Sequence, residues 1–120
     1  MNSLIVVLMG GLSGERKISF LTGKACAKAL RKKGYNVKEL DARGYFVETL
    51  KKLKPNRVFN ALHGQYGEDG FIQSILESLS IKYTHSGVSA SSLAMDKELS
   101  RLLFIKHDLK VPKYFIFFKN

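Results

Sequence analysis

Leu4-Ile5-Val6-Val7-Leu8-Met9-Gly10-Gly11-Leu12-Ser13-Gly14-Glu15 is the stretch on which the fold turns. Six consecutive apolar residues are too few for a surface helix and too uniform for a half-exposed strand. They read as a strand buried on both faces of a parallel sheet. Gly10 to Gly14 forms a turn. From Glu15 the apolar positions Ile18, Leu21, Ala25, Ala29 and Leu30 recur at helical spacing. That pattern predicts a helix with Ser13 as its N-cap, ending before Gly34. Tyr35 to Leu40 then alternates as a second strand, which completes a right-handed βαβ unit.

The rest of the chain repeats this alternation. Phe46 to Leu53 is predicted as a short helix with Val47, Leu50 and Leu53 facing inward, and Pro55 ends it. Arg57 to Ala61 is a third strand. Phe71, Ile72, Ile75, Leu76 and Leu79 mark a further helix, and Ile81 to Tyr83 a brief strand. From Val88 the sequence is helical through Met95 and on along Leu99, Leu102, Leu103 and Ile105. Pro112 introduces an extended, aromatic segment, Tyr114 to Phe118. The fold class expected is α/β: an open, mostly parallel sheet with helices on both faces, Rossmann-like or flavodoxin-like. Ligands of such sheets bind at the carboxyl ends of the strands.

Size and composition narrow the function classes. At 120 residues the chain is one domain by length and can bury a core without staples. The single cysteine, Cys26, cannot form an internal disulfide and reads as a small core residue in a reducing, cytoplasmic setting. The Leu4–Met9 run has no preceding basic residue and is no export signal. No segment approaches the ~20 apolar residues of a membrane span. The formal net charge is +10, and thirteen of the twenty basic residues lie between Arg16 and Arg57. Arg31-Lys32-Lys33 closes the first helix, where cations favour its dipole. A nucleic-acid partner would call for a basic stripe with interleaved exposed aromatics, which the sequence lacks. Neither a nucleic acid nor a membrane is expected as a partner.

Two glycine-rich turns carry the candidate chemistry. The first, Gly10 to Glu15, sits between strand and helix, the usual cradle for phosphate. It ends in a carboxylate, which would repel phosphate but hold an ammonium group. The second is Ala61-Leu62-His63-Gly64-Gln65-Tyr66-Gly67-Glu68-Asp69-Gly70. Its histidine and adjacent acids could hold a charged small molecule. Taken singly, Glu15 could serve only the helix dipole, His63 the core, and Glu68 and Asp69 the next helix start. Taken together, Glu15 and His63 could bind the amino and carboxylate ends of an amino acid. His63, His85 and His107 are too far apart for a metal site.

Four segments, in order, resemble the N-terminal, pre-ATP-grasp domain of D-alanine–D-alanine ligases. They are Gly10-Gly11-Leu12-Ser13-Gly14-Glu15-Arg16, Ala61 to Gly64 with Gly67-Glu68-Asp69-Gly70, Tyr83-Thr84-His85-Ser86-Gly87-Val88, and Ala94-Met95-Asp96-Lys97. The resemblance implies that Glu15 contacts the amino group of the first D-alanine, with Ile18 beside its methyl. It implies that His63 lies near the carboxylate and Lys97 contacts ATP phosphates. Glu68 is read as a supporting partner of His63. Lys17 departs from the acid common after the Glu-Arg pair, at a position expected to face solvent. The complete enzymes use ATP and Mg2+ in peptidoglycan precursor synthesis, through an acyl phosphate.

On this resemblance, residues 1–96 form the substrate-binding domain and 97–120 the connecting helix and first strand of an ATP-grasp domain. The chain is expected to be a truncated ligase domain, inactive alone and holding neither ATP nor Mg2+ stably. Its implied partners are D-alanine, the ATP-grasp remainder and a second copy in a homodimer. The competing readings are the same domain of a D-alanine–D-lactate ligase, and a non-catalytic small-molecule-binding or interaction domain.

Overall fold

The computed structural model describes residues 3–119. Its elements run β1 (Leu4–Met9), α1 (Arg16–Lys32), β2 (Asn36–Asp41), α2 (Phe46–Leu53), β3 (Arg57–Asn60), α3 (Phe71–Ser78), α4 (Val88–Met95) and α5 (Lys97–Lys106). The strands make one parallel sheet in the order β2-β1-β3. Central β1 is shielded on both faces, and Val6, Val7 and Leu8 are wholly buried. Val6 and Leu8 pack with Leu50, Ile72 and Leu76 from α2 and α3. Val7 and Met9 pack on the opposite face with Ala27, Phe20 and Leu30 of α1. The α/β architecture with helices on both faces is therefore as expected. Among the described residues, no helix is long and apolar enough to cross a membrane.

Four local expectations are corrected. The helical period of α1 is right, but its buried face is Ser19, Gly23 and Ala27, while Ile18 and Leu21 are exposed. The cause is close approach: a Cβ on Gly23 would stand 2.7 Å from Met9 Cβ, so a small residue is needed where α1 crosses Met9, and Phe20 and Leu30 pack to its flanks. Ser13 does not cap α1; Glu15 occupies the N-cap position, without a side-chain bond. Ile81 to Tyr83 forms no strand, only a single bridge from Tyr83 to Val58. The expected helix from Val88 to Ile105 is two helices. Asp96 is extended (ψ 105°), and its carboxylate accepts from the N–H groups of Glu98 and Leu99 to start α5 anew.

The C-terminal quarter stands apart from the core. No residue of α5 is buried. Beyond it the chain is extended and joins no sheet, with Phe115, Phe117 and Phe118 almost fully exposed. The Arg101 guanidinium stacks over Tyr114, 4.7 Å from the ring centroid.

Candidate functional site

The parallel register pairs Leu8 with Asn60, so the loops that follow β1 and β3 leave the sheet side by side. Two serines stitch them together. Ser13 Oγ donates to the His63 carbonyl at 2.8 Å and accepts the Glu15 N–H at 3.1 Å. Ser19 Oγ, fully buried in α1, accepts the Gly10 N–H at 2.9 Å and donates to the Ala61 carbonyl at 2.7 Å. Each hydroxyl uses its donor and an acceptor lone pair, so neither loop end is left unsatisfied.

The first turn is closed from its other side by Asp41 at the end of β2. Its Oδ1 accepts the Gly11 N–H at 3.1 Å, and the Arg16 guanidinium binds both carboxylate oxygens at 2.7 and 2.5 Å. Arg16 also donates to the Gly11 carbonyl and lies over the Phe20 ring. The bidentate bond to Arg16 holds the Asp41 carboxyl below its ordinary range, against a smaller opposing effect of burial. The Gly10 and Gly11 amides are thus bonded internally, and this turn does not offer them to a phosphate.

The second turn is built on Asn60, which is 5% exposed. Its Nδ2 donates to the Gly67 carbonyl, its Oδ1 accepts the Leu62 N–H, and its own carbonyl accepts from His85 Nε2 at 3.0 Å. Buried Gln73 donates to the same Gly67 carbonyl. Asp69 precedes Gly70, the N-cap of α3, and accepts the Tyr66 and Phe71 N–H groups. That is a structural task. Glu68 is different: Oε2 accepts the Gly64 N–H at 2.7 Å, and Oε1 lies 3.9 Å from His63 Nδ1.

Gly64 is where the two turns touch. It has φ +68°, and a Cβ there would collide with the Glu15 carboxylate. Glu15 and Glu68 therefore both approach Gly64, and Glu68 also nears the His63 ring. Helical spacing puts Glu15, Ile18 and Thr22 on one side of α1, and Thr22 Oγ1 lies 3.0 Å from His63 Nε2. Ile18 is 55% exposed and free to meet a ligand. Two cavities open at this rim, and His63 lines both. One, of about 230 Å³, is bordered by Gly11, Ser13, Leu62 and Tyr66. The other, of about 370 Å³, is bordered by Thr22, Glu68, Gln73, His85 and Ser91.

Of the five sequence-nominated residues, His63 and Glu68 line these cavities; Glu15 touches the same turn at Gly64, and Ile18 follows it along α1, but neither borders a cavity. Lys97 opens α5 and is exposed; it lines neither cavity and joins none of these bonds. Sequence reasoning missed Thr22, Asn60 and Asp41. Asp41 had a readable signal, an acid at the end of a strand beside a glycine turn that carries an arginine. The described residues hold no group of three or more His, Cys, Asp or Glu placed to bind a metal. Chemically, paired carboxylates beside an imidazole suit a small ligand bearing an ammonium group and an acceptor.

No protein-family model matches the chain. It is 52% identical over 117 residues, 98% of its length, to the D-alanine–D-alanine ligase of Pelagibacter ubique (strain HTCC1062). It is 53% identical over 109 residues to that of Parvibaculum lavamentivorans. The chain spans only 38% and 35% of those two relatives. Among solved structures, the D-alanine–D-alanine ligase of Bacillus anthracis complexed with ATP superposes with a TM-score of 0.82 at 33% identity. That match covers 92% of this chain and 38% of the other. D-Alanyl-alanine synthetase A of Vibrio cholerae superposes with a TM-score of 0.77 at 24% identity, which speaks for the fold alone.

Proposed function

We propose that this chain, which matches the N-terminal part of D-alanine–D-alanine ligases, builds the substrate-binding wall of such a ligase. The observation that carries the reading is the contact of the two turns. Ser13 holds the His63 backbone at 2.8 Å, and the Glu15 carboxylate rests against Gly64. An acid and an imidazole then come from two turns in contact, which suits the two charged ends of a zwitterionic amino acid.

In this reading Glu15 holds the ammonium group of the first D-alanine and Ile18 packs beside its methyl. His63 meets the carboxylate, and Glu68 supports His63. Lys97, at the start of α5, serves ATP phosphates. ATP supplies the phosphoryl group that activates one carboxylate, with Mg2+ neutralising the developing charge. In this reading the Mg2+ ligands belong to the remaining length of the relatives. Residues 1–96 form the binding domain, and 97–120 lead into the ATP-grasp part. The apolar side chains of α5 and Phe115 to Phe118 are the surface that part would cover. The 120 residues alone have negligible ligase activity, because one wall cannot bring two substrates and ATP together. The setting is the cytoplasm, in peptidoglycan precursor synthesis.

A chimera tests this directly. These residues replace the matching segment of the Pelagibacter ubique ligase, and D-alanine-dependent phosphate release from ATP is measured. The chimera should be active, and Glu15→Gln should lower kcat/KM by about 100-fold or more. An active chimera indifferent to Glu15→Gln would refute the assigned role.

A further inference from the structure

Thr22 lies mid-helix with its hydroxyl 3.0 Å from His63 Nε2. A neutral imidazole has one N–H and one lone pair, and a hydroxyl can meet either. The other side of the ring decides between them. Nδ1 lies 3.9 Å from Glu68 Oε1, and the Gly64 N–H pins that carboxylate through Oε2. A lone pair on Nδ1 would face the anion and be repelled; an N–H there is attracted. At 3.9 Å the two do not form a hydrogen bond, so an Nδ1–H would remain available to an incoming acceptor.

We propose that Thr22 is a positioning residue: with the Glu68 carboxylate favouring a proton on Nδ1, the Thr22 hydroxyl donates to His63 Nε2 and stabilises the ring as the Nδ1–H tautomer, with its N–H on the Glu68 side. The ring plane is held from α1 by this one bond, while the backbone of the same residue is held by Ser13. Histidine side chain and backbone are therefore located by two different residues of the α1 region. The N–H presented by Nδ1 is the group that would meet a ligand carboxylate, and that consequence rests on the ligase reading. The tautomer itself does not.

The test uses the ligand-free 120-residue protein labelled with 15N at histidine, at a pH where the His63 ring is neutral. Long-range 1H–15N spectra should show Nδ1 protonated and Nε2 unprotonated. Thr22→Val, checked for folding by its amide spectrum, should raise the Nε2–H share. Thr22→Ser should restore the wild-type ratio. If the Nδ1–H form falls to about a fifth, apparent D-alanine affinity should weaken about fivefold. A wild-type ring protonated at Nε2, or a ratio unmoved by Thr22→Val, would overturn the proposal. If Thr22→Val does not fold, Thr22→Ala takes its place, and a ratio unmoved by it would overturn the proposal equally. Should the tautomer behave as stated while D-alanine leaves the ring signals unmoved, Thr22 keeps its role and the substrate reading fails.

Discussion

The rim that joins the β1 and β3 loops and the C-terminal quarter, residues 97–119, contrast sharply in how they meet their own polar and apolar demands. At the rim, Ser13, Ser19 and Asp41 each bond backbone groups of a loop distant in sequence, and Asn60 bonds the backbone of the loop that follows it. In the C-terminal quarter, α5 buries nothing, and Leu102, Phe104, Phe115 and Phe117 are exposed. The backbone of both rim loops is tied down by bonds made within this chain. The C-terminal quarter carries an apolar pattern that finds no cover among the described residues. Satisfied loop backbone is thus concentrated at the rim, and binding potential for another surface lies where apolar groups stay open.

The largest effect should come from Gly23→Val, which drives a branched side chain into Met9 where α1 meets the sheet. A loss of about 3 kcal/mol in urea unfolding is expected. Ser19→Ala leaves the Gly10 N–H and Ala61 carbonyl unpaired in the core and should cost about 2 kcal/mol. Both strike the rim side of the contrast, and a silent Ser19→Ala would break it.

Asp41→Asn is expected to act less strongly, because Asp41 and Arg16 are about one-third exposed. Its signature is pH dependence. The folded-state pKa of Asp41 is lowered by Arg16. Its stabilisation is therefore complete above the unfolded carboxylate range and disappears as pH falls through the lower folded value. Wild type and Asp41→Asn should differ at neutral pH and converge in acid.

Smallest of all, Phe115→Ser with Phe117→Ser should change unfolding by no more than about 0.5 kcal/mol while lowering light scattering. A destabilisation matching that of Ser19→Ala would mean that the tail packs on the core after all.

The sequence discloses what bulk hydrophobicity governs. The six-residue apolar run of β1 and the Phe46–Leu53 helix match the structure end to end. It hides what shape governs. The inward face of α1 is made of a serine, a glycine and an alanine, so a search for large apolar residues turned the helix the wrong way. The break at Asp96 was readable as an N-cap inside a helical run, but the apolar period continued past it and masked it. Glu15 and His63 stood out because glycines surround them. Thr22 carried no local signal; its importance arises only when parallel register brings the β1 and β3 loops level.

The most direct measurement of the central claim is a D-alanine titration of the 120-residue protein, following the His63 ring signals by NMR. Saturable shifts in wild type, lost in Glu15→Gln with the fold intact, are expected if acid and imidazole share one ligand. Ring signals that ignore D-alanine, or shifts that persist unchanged in Glu15→Gln, would contradict the account.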